Sequence, residues 1–280
     1  MYEQIRYEVT DPVAVITLNR PQQMNAWTAQ MGDEVSDALR RASADRRVVG
    51  IVLTGEGRGF CSGADLSDLK VLGSGGQIGT SIGPDALARP GEPSWGEDLR
   101  GTYTFPMSIP KPVIAAINGA VAGMGVPIAL SCDMRFMARG ARIITAFAER
   151  GLVAEWGISW ILPRLVGSAV ALDLLFSSRR VEADEAERLG LVNKAVEPEQ
   201  LLVAATGYVE DLATRCSPTS MAIMKRQVYQ QLHVGLAAAE AEAHALMKES
   251  FTRPELTEGV AAFREKRPPR FARIGTEDGN

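Results

Sequence analysis

Two glycine-containing turns hold the backbone groups that could do chemistry. Ala64 follows Gly63 in the first turn, and Met124 stands between Gly123 and Gly125 in the second. Each turn lies where a predicted strand gives way to a helix. If the strands are neighbours, the N–H groups of Ala64 and Met124 could converge on one carbonyl oxygen and stabilise an enolate or a tetrahedral oxyanion. The alternative is that these glycines only permit tight packing of helix on sheet.

The segments around the turns predict an α/β core with parallel strands. Residues 49–54 and 113–117 are apolar and rich in β-branched residues, which is typical of buried strands. Pro127 fits the first turn of a helix that would run towards Asp133. Because strand, loop and helix occur in this order twice, we expect the ligand loops at the carboxyl ends of the strands.

The remaining segments surround this core. Residues 5–10 and 13–18 predict a β-hairpin that turns at Asp11-Pro12, and a helix begins near Thr28. The long Gly/Ser/Pro-rich stretch 70–105 favours a flexible lid. The other predicted elements are a strand at 143–145, helices at 158–165, 169–176 and 183–189, an edge strand at 191–196, and helices at 198–215, 218–232, 236–251 and 254–264.

Composition excludes several broad classes of function. The net charge of −4 does not support nucleic-acid binding, and no run approaches the roughly 18 uninterrupted apolar residues that span a membrane. The chain has three cysteines, Cys61, Cys132 and Cys216, far apart and without metal-site spacing, which fits a reducing compartment. We therefore expect a cytoplasmic protein without a bound metal. Cys61 and Cys132 are interpreted as small core residues, and Ser62 lacks the sequence context of a hydrolase nucleophile.

Five segments occur in the order seen in one enzyme family. They are NRPQQMNAW, GRGFCSGADL, PKPVIAAINGAVAGMG, LPRLVG and AAFREKRPPRF. In these the chain resembles the enoyl-CoA hydratase/isomerase (crotonase) superfamily over nearly its whole length. The resemblance implies a spiral of ββα units over residues 1–200 and a helical region over 201–280 that forms a homotrimer or a dimer of trimers. It also implies acyl-CoA thioester substrates, coenzyme A as part of the substrate with no separate cofactor, and an oxyanion hole formed by the N–H groups of Ala64 and Met124.

The resemblance further implies a set of acyl-CoA-binding residues. Phe263 and Lys266 match positions that meet the adenine and phosphate of coenzyme A, sometimes from a neighbouring subunit. A solvated basic tail is the alternative for these two residues. The binding residues expected near the turns are Asn25, Ala26, Ser62, Ala64, Asp65, Leu66 and Gly123.

The proton-transfer residues depart from the hydratase pattern. Pro127 occupies the place of one hydratase glutamate, and Phe147 occupies the place of the other when no gap is allowed. A two-residue gap would make Glu149 the match. Family isomerases and some related members instead carry an acidic residue four positions after the glycine that corresponds to Gly151, and that position is Glu155. A glutamate that only favours a helix N-terminus is the alternative for Glu155.

One carboxylate suits a particular reaction. A 1,3 proton shift needs a single base, whereas family hydratases use two carboxylates to hold and activate water. We therefore expect double-bond isomerisation of an enoyl-CoA more than hydration. The alternatives are a hydratase that uses Glu149 or an ordered water, and an acyl-CoA-binding paralogue with impaired catalysis.

Overall fold

The computed structural model describes residues 2–65, 92–101 and 103–276. Most of the stretch predicted as a lid, and Leu66, lie outside these residues. The chain starts with the predicted antiparallel hairpin, β1 (Ile5–Thr10) and β2 (Val13–Leu18), in the register Thr10↔Val13. Its turn falls at Asp11-Pro12, as predicted.

A six-stranded sheet forms the centre of the molecule. Its order is β1-β2-β3-β5-β7-β10, and all pairs after β1-β2 are parallel. The interior strands are almost wholly buried, which is why they read as continuous apolar runs. The strands that complete it are β3 (Gly50–Gly55), β5 (Val113–Ile117), β7 (Met134–Ala138) and β10 (Lys194–Val196). The structure thus confirms the predicted parallel α/β core.

A second sheet of very short strands lies at the carboxyl ends of these strands. It has four strands in the order β4-β6-β8-β9, of which only β8 was predicted. Residues 59–61 and 120–122, which the sequence places in the glycine-containing turns, are strands of this sheet. The strand 134–138 of the larger sheet was not predicted either. The members are β4 (Gly59–Cys61), β6 (Ala120–Ala122), β8 (Arg142–Ile144) and β9 (Val181–Glu182).

Helices cover the sheets. Helix α1 (Ala29–Ala44) buries Met31, Val35, Leu39 and other apolar residues on one face, and the Thr28 hydroxyl accepts a hydrogen bond from the Met31 N–H at its start. Helix α2 ends at Leu130, earlier than predicted. The further helices are α2 (Gly125–Leu130), α3 (Ile158–Ser177), α4 (Ala183–Arg188), α5 (Leu201–Arg215), α6 (Pro218–Gln231), α7 (Leu236–Ser250) and α8 (Pro254–Glu265).

Helix α3 is long and apolar enough to cross a membrane by length and composition alone. Three features set it apart from a continuous span. Gly167, at φ 77° and ψ 160°, is not helical, so α3 is two segments, as the sequence predicted. Arg164 and Asp173 interrupt the apolar run, and one side of the helix packs against α2.

Helix α5 packs directly on the large sheet. A Cβ atom at Gly50 in β3 would lie 2.8 Å from Val209 Cγ1, so the strand can hold α5 this closely only with glycine at that position. The first helix after residue 200 therefore shares the core of the sheet. The division into residues 1–200 and 201–280 stays a prediction.

Candidate active site

The pairing of β4 with β6 brings the two glycine turns together. The strands run parallel, with Cys61 opposite Val121, so the chain leaves both strands at the same edge. A Cβ atom at Gly63 would lie 3.8 Å from the Met124 nitrogen, and one at Gly123 would lie 3.7 Å from the Gly63 Cα. The two turns are therefore in van der Waals contact.

The Ala64 N–H points away from the element that fixes its turn. Trp27 pairs with Ala64 in a parallel bridge: the Trp27 N–H donates to Gly63 O at 2.8 Å, and the Asp65 N–H donates to Trp27 O at 3.0 Å. In such a bridge the N–H of the residue opposite Trp27 faces the other side. No acceptor among the described residues pairs with the Ala64 N–H.

The Met124 N–H is equally available. Met124 is the residue before α2, and the first N–H groups of a helix have no partner within it. Gly123 on its other side is anchored, because its N–H donates to Ile144 O in β8 at 3.3 Å. Within the described residues the Met124 N–H has no acceptor. Two fixed N–H groups in adjoining turns, neither with an acceptor in the described part of the chain, make a site that can hold an oxyanion.

Hydrogen bonds of residues 20–26 support the Ala64 turn. Asn25 is wholly buried at φ 55°, and its side chain accepts from the Arg20 N–H and donates to the carbonyls of Glu56 and Gly59. Its polar atoms are thus occupied by backbone groups. The Ala26 carbonyl accepts from the Arg20 guanidinium at 2.5 Å. The predicted binding residues Asn25 and Ala26 therefore belong to the hydrogen-bonded segment that supports the Ala64 turn.

Arg20 was not identified from the sequence, although it lies within one of the quoted motifs. Its guanidinium forms an ion pair with Asp65 at 2.9 Å, both side chains being about one-fifth exposed. This pair ties the first turn to the segment after β2. Ser62 is exposed, and its hydroxyl donates to Gln23 O at 3.3 Å. The predicted residues Ser62, Asp65 and Gly123 thus cluster around the two N–H groups, and Leu66 lies outside the described residues.

A series of aromatic contacts connects the segment that carries Glu155 to this cluster. Its side chain is half-buried, and no residue in the described part of the chain pairs with its carboxylate. The neighbouring Trp156 ring meets Tyr103 edge to face at 4.4 Å between centroids, and Tyr103 meets Trp27 at 6.1 Å. Trp27 is the bridge partner of Ala64, so these contacts link the Glu155 segment to the first turn.

The two places of the hydratase carboxylates are apolar. Pro127 is buried in the first turn of α2, as predicted, and Phe147 is 3% exposed. Glu149 lies in the 3-10 turn Ala148–Arg150 and is exposed. Glu155 is therefore the better buried of the two candidate carboxylates.

Phe263 and Lys266 lie at the far end of the chain. Phe263 is 86% exposed near the end of α8, and the exposed Lys266 directly follows this helix. Around them Arg267 pairs with Glu258, and Arg273 pairs with Asp11 in the hairpin turn. No contact within the described chain brings Phe263 or Lys266 to the two turns.

The buried cysteines are poor nucleophiles. Cys61 and Cys132 are 0% and 1% exposed, and burial raises the pKa of each thiol to about 12. This confirms their interpretation as core residues.

Known proteins are similar to this chain over nearly its whole length. The sequence profile of the enoyl-CoA hydratase/isomerase family matches residues 8–273. A probable enoyl-CoA hydratase of Rhodobacter capsulatus is 38% identical, over 96% of this chain and 98% of the relative. The 1,2-epoxyphenylacetyl-CoA isomerase of Escherichia coli is 31% identical, over 97% and 99%.

Solved structures give the same result. A crystal structure of a probable enoyl-CoA hydratase/isomerase from Mycobacterium abscessus superposes with a TM-score of 0.81 at 31% identity, over 97% of this chain and 99% of that one. The crotonase fold predicted from the motifs is therefore confirmed. The chain belongs to the enoyl-CoA hydratase/isomerase family.

Proposed function

We propose that the protein transforms acyl-CoA thioesters and that the N–H groups of Ala64 and Met124 bind the thioester carbonyl oxygen. The observation that supports this most is the contact between the two turns, which brings together two N–H donors that have no acceptor among the described residues. When a proton leaves the carbon next to the carbonyl, negative charge moves onto this oxygen. One such donor lowers the barrier by about 3 kcal/mol, so a pair can stabilise an enolate substantially.

Glu155 then moves the proton. Its carboxylate is half-buried without a partner among the described residues, which leaves it free to meet a substrate. The reaction we favour is isomerisation of an enoyl-CoA: Glu155 removes a proton from one carbon, the enolate forms in the oxyanion hole, and the same carboxyl returns the proton two carbons away. One base is enough for this cycle.

Hydration is the second candidate. Relatives in the family are named enoyl-CoA hydratases, and Glu149 offers a second, exposed carboxylate in the turn after β8. Water activated by Glu149, or an ordered water alone, would then add across the double bond. A paralogue that binds acyl-CoA without turning it over is the remaining alternative, because Pro127 and Phe147 replace both hydratase glutamates.

Product analysis on a panel of 2-enoyl- and 3-enoyl-CoA esters tests the proposal. We expect double-bond migration, and a fall in kcat of about 10²–10⁴-fold in Glu155→Gln. Glu149→Gln is the matched control and should keep nearly full activity. Water incorporation without migration would favour hydration, and tight binding without turnover would favour the impaired paralogue. Near-full turnover by Glu155→Gln would rule out Glu155 as the proton carrier.

We further propose a homotrimer or dimer of trimers that uses no cofactor besides the coenzyme A of its substrate. The exposed Phe263 and Lys266 suit contacts with the adenine and phosphate of coenzyme A bound to a neighbouring subunit. Because all three cysteines are free thiols, we place the protein in the cytoplasm.

A further inference from the structure

Trp156 has an unusual backbone conformation for a bulky residue. Its φ is +56°, and the next residue, Gly157, also has a positive φ of +81°. Glycine adopts this left-handed region freely, whereas a large side chain is strained in it. Such strain persists only where the surrounding structure imposes it, and it is commonest at functional sites. Trp156 directly follows Glu155, so the conformation decides the direction of the chain at the candidate base.

Tyr103 and Thr104 hold this turn in place. The Tyr103 and Trp156 rings meet edge to face at 4.4 Å, with an angle of 82° between their planes, a geometry that attracts aromatic rings. A Cβ atom at Gly157 would lie 3.3 Å from the Thr104 methyl group, so the turn is packed tightly against this segment. Tyr103 is itself held in place near the end of α2, because the hydroxyl of the buried Ser131 is shared between the carbonyls of Tyr103 at 3.1 Å and Ile128 at 3.0 Å.

The same ring contacts the support of the oxyanion hole. Tyr103 meets Trp27 at 6.1 Å, again close to perpendicular, and Trp27 is buried at 5% exposure. The backbone of Trp27 bonds to both residues that flank Ala64. The three rings therefore form a continuous packed connection between the Ala64 turn and the Glu155 segment.

From these contacts we propose that Trp27, Tyr103 and Trp156 are positioning residues that fix the distance between the Glu155 carboxylate and the Ala64 N–H. The proposal rests on the function proposed above, in which these two groups act on one substrate. Glycine would suit the backbone conformation at position 156 better than tryptophan does. A smaller residue there would, however, lose the ring contact with Tyr103. The strained backbone at Trp156 is thus the conformation that keeps its ring against Tyr103 and the Glu155 segment in place.

The test separates positioning from stability. Trp156→Gly removes the ring contact and relieves the backbone, and these two effects oppose each other in stability. We therefore expect a small change in unfolding temperature together with a fall in kcat of about 10- to 100-fold, the scale of a 1 Å misplacement. The dissociation constant for the saturated acyl-CoA ester of the same chain length should stay within a few-fold of the wild type. Tyr103→Leu should lose kcat similarly, whereas Tyr103→Phe, which keeps the ring, should retain it.

Two results would overturn the proposal. One is wild-type kcat in Trp156→Gly, and the other is an equal loss in Tyr103→Phe and Tyr103→Leu, which would assign the effect to the hydroxyl group. Glu155→Gln is measured alongside. If Glu155→Gln is inactive but Trp156→Gly is not, only the positioning role fails. If Glu155→Gln keeps full turnover, the proposed function fails with it.

Discussion

Gly125 shows how one residue keeps the two turns in contact. A Cβ atom there would lie 2.5 Å from the Cys61 carbonyl oxygen and 2.9 Å from its Cβ, far inside van der Waals contact. The obstacle is backbone in a buried strand, so it cannot swing away. The absence of a side chain at Gly125 is thus what lets α2 start against β4.

We expect Gly125→Ala to lower stability by about 1–3 kcal/mol, as overpacked sites do, and to reduce activity because the turns separate. Gly207→Ala in α5 is the matched control: nothing lies within 4 Å of its Cβ position, and alanine favours a helix by about 0.5–1 kcal/mol. Urea denaturation and kcat of both variants check this. Equal stability of the two variants would contradict the role given to Gly125.

Lys111 is a buried cation whose protonation opposes folding. It is 1% exposed, and its ammonium donates to the carbonyls of Ala42 and Asp45 at the end of α1. Burial lowers its pKa from 10.5 to about 8, which the nearby Asp45 charge partly offsets and Arg273 reinforces. Between pH 8 and 10.5 the unfolded chain therefore binds more protons than the folded one, and stability from this group rises with pH.

Lys111→Met should consequently cost more stability at pH 10 than at pH 7, by on the order of 2 kcal/mol. Paired urea titrations of wild type and variant at the two pH values measure the difference, and other titrating groups cancel in the comparison. A cost that is equal at both pH values, or larger at pH 7, would show that the Lys111 pKa is not depressed in the folded state.

At the scale of elements, the partly buried carboxylate of Asp133 fastens α6 to the core. The Asp133 carboxylate, which follows α2, accepts hydrogen bonds from Lys225 at 2.7 Å, Tyr229 at 2.9 Å and the Val113 N–H at 2.7 Å. Lys225 also donates to the carbonyls of Pro106 and Lys111. Helix α6 is thus joined to the start of β5 and to the segment that carries Tyr103.

Removing one partner of this group should be costly. Lys225→Met leaves the largely buried Asp133 carboxylate without its cation, and we expect a loss of about 3 kcal/mol. The i,i+4 pair of Arg215 with Asp211 at the end of α5, whose side chains are about two-thirds exposed, is the control: Arg215→Met should cost under about 1 kcal/mol. Similar losses in the two variants, measured by urea denaturation, would contradict the importance of burial here.

At the scale of the whole molecule, the C-terminal helices α6 to α8 expose many large apolar side chains, which we term the C-terminal apolar surface. Exposed side chains on α6 to α8 and their connections include Met224 at 61%, Val228 at 61%, Leu236 at 83%, Phe251 at 60% and Phe263 at 86%. Monomeric proteins rarely leave so many large apolar side chains in water. This surface supports the proposed assembly of three or six chains.

Light scattering should therefore give a mass of three or six times the 30.1 kDa of one chain. Leu236→Lys should shift the protein towards monomer, because a charge would be buried at the interface. Val203→Lys, at a 64% exposed position on α5 outside this surface, should leave the mass unchanged. A monomeric wild type would exclude the trimer.

The sequence by itself determined the parts whose signal is local. Apolar runs marked β3 and β5, helical spacing marked α1, and the spaced glycines and ordered motifs marked the two turns and the family. Such patterns record burial and backbone geometry over a few neighbouring residues, so they can be read without knowing the rest of the fold.

Only the tertiary structure decided how those parts meet. Strands β4 and β6 are three residues each, too short to show any period, and their pairing alone brings Ala64 to Met124. The contact of Tyr103 with Trp156 joins residues more than fifty positions apart. The hydrogen bonds of the buried Asn25 amide likewise depend on the carbonyls of Glu56 and Gly59, which lie 31 and 34 positions further along the chain. These features arise from non-local packing, which leaves no periodic trace in the chain.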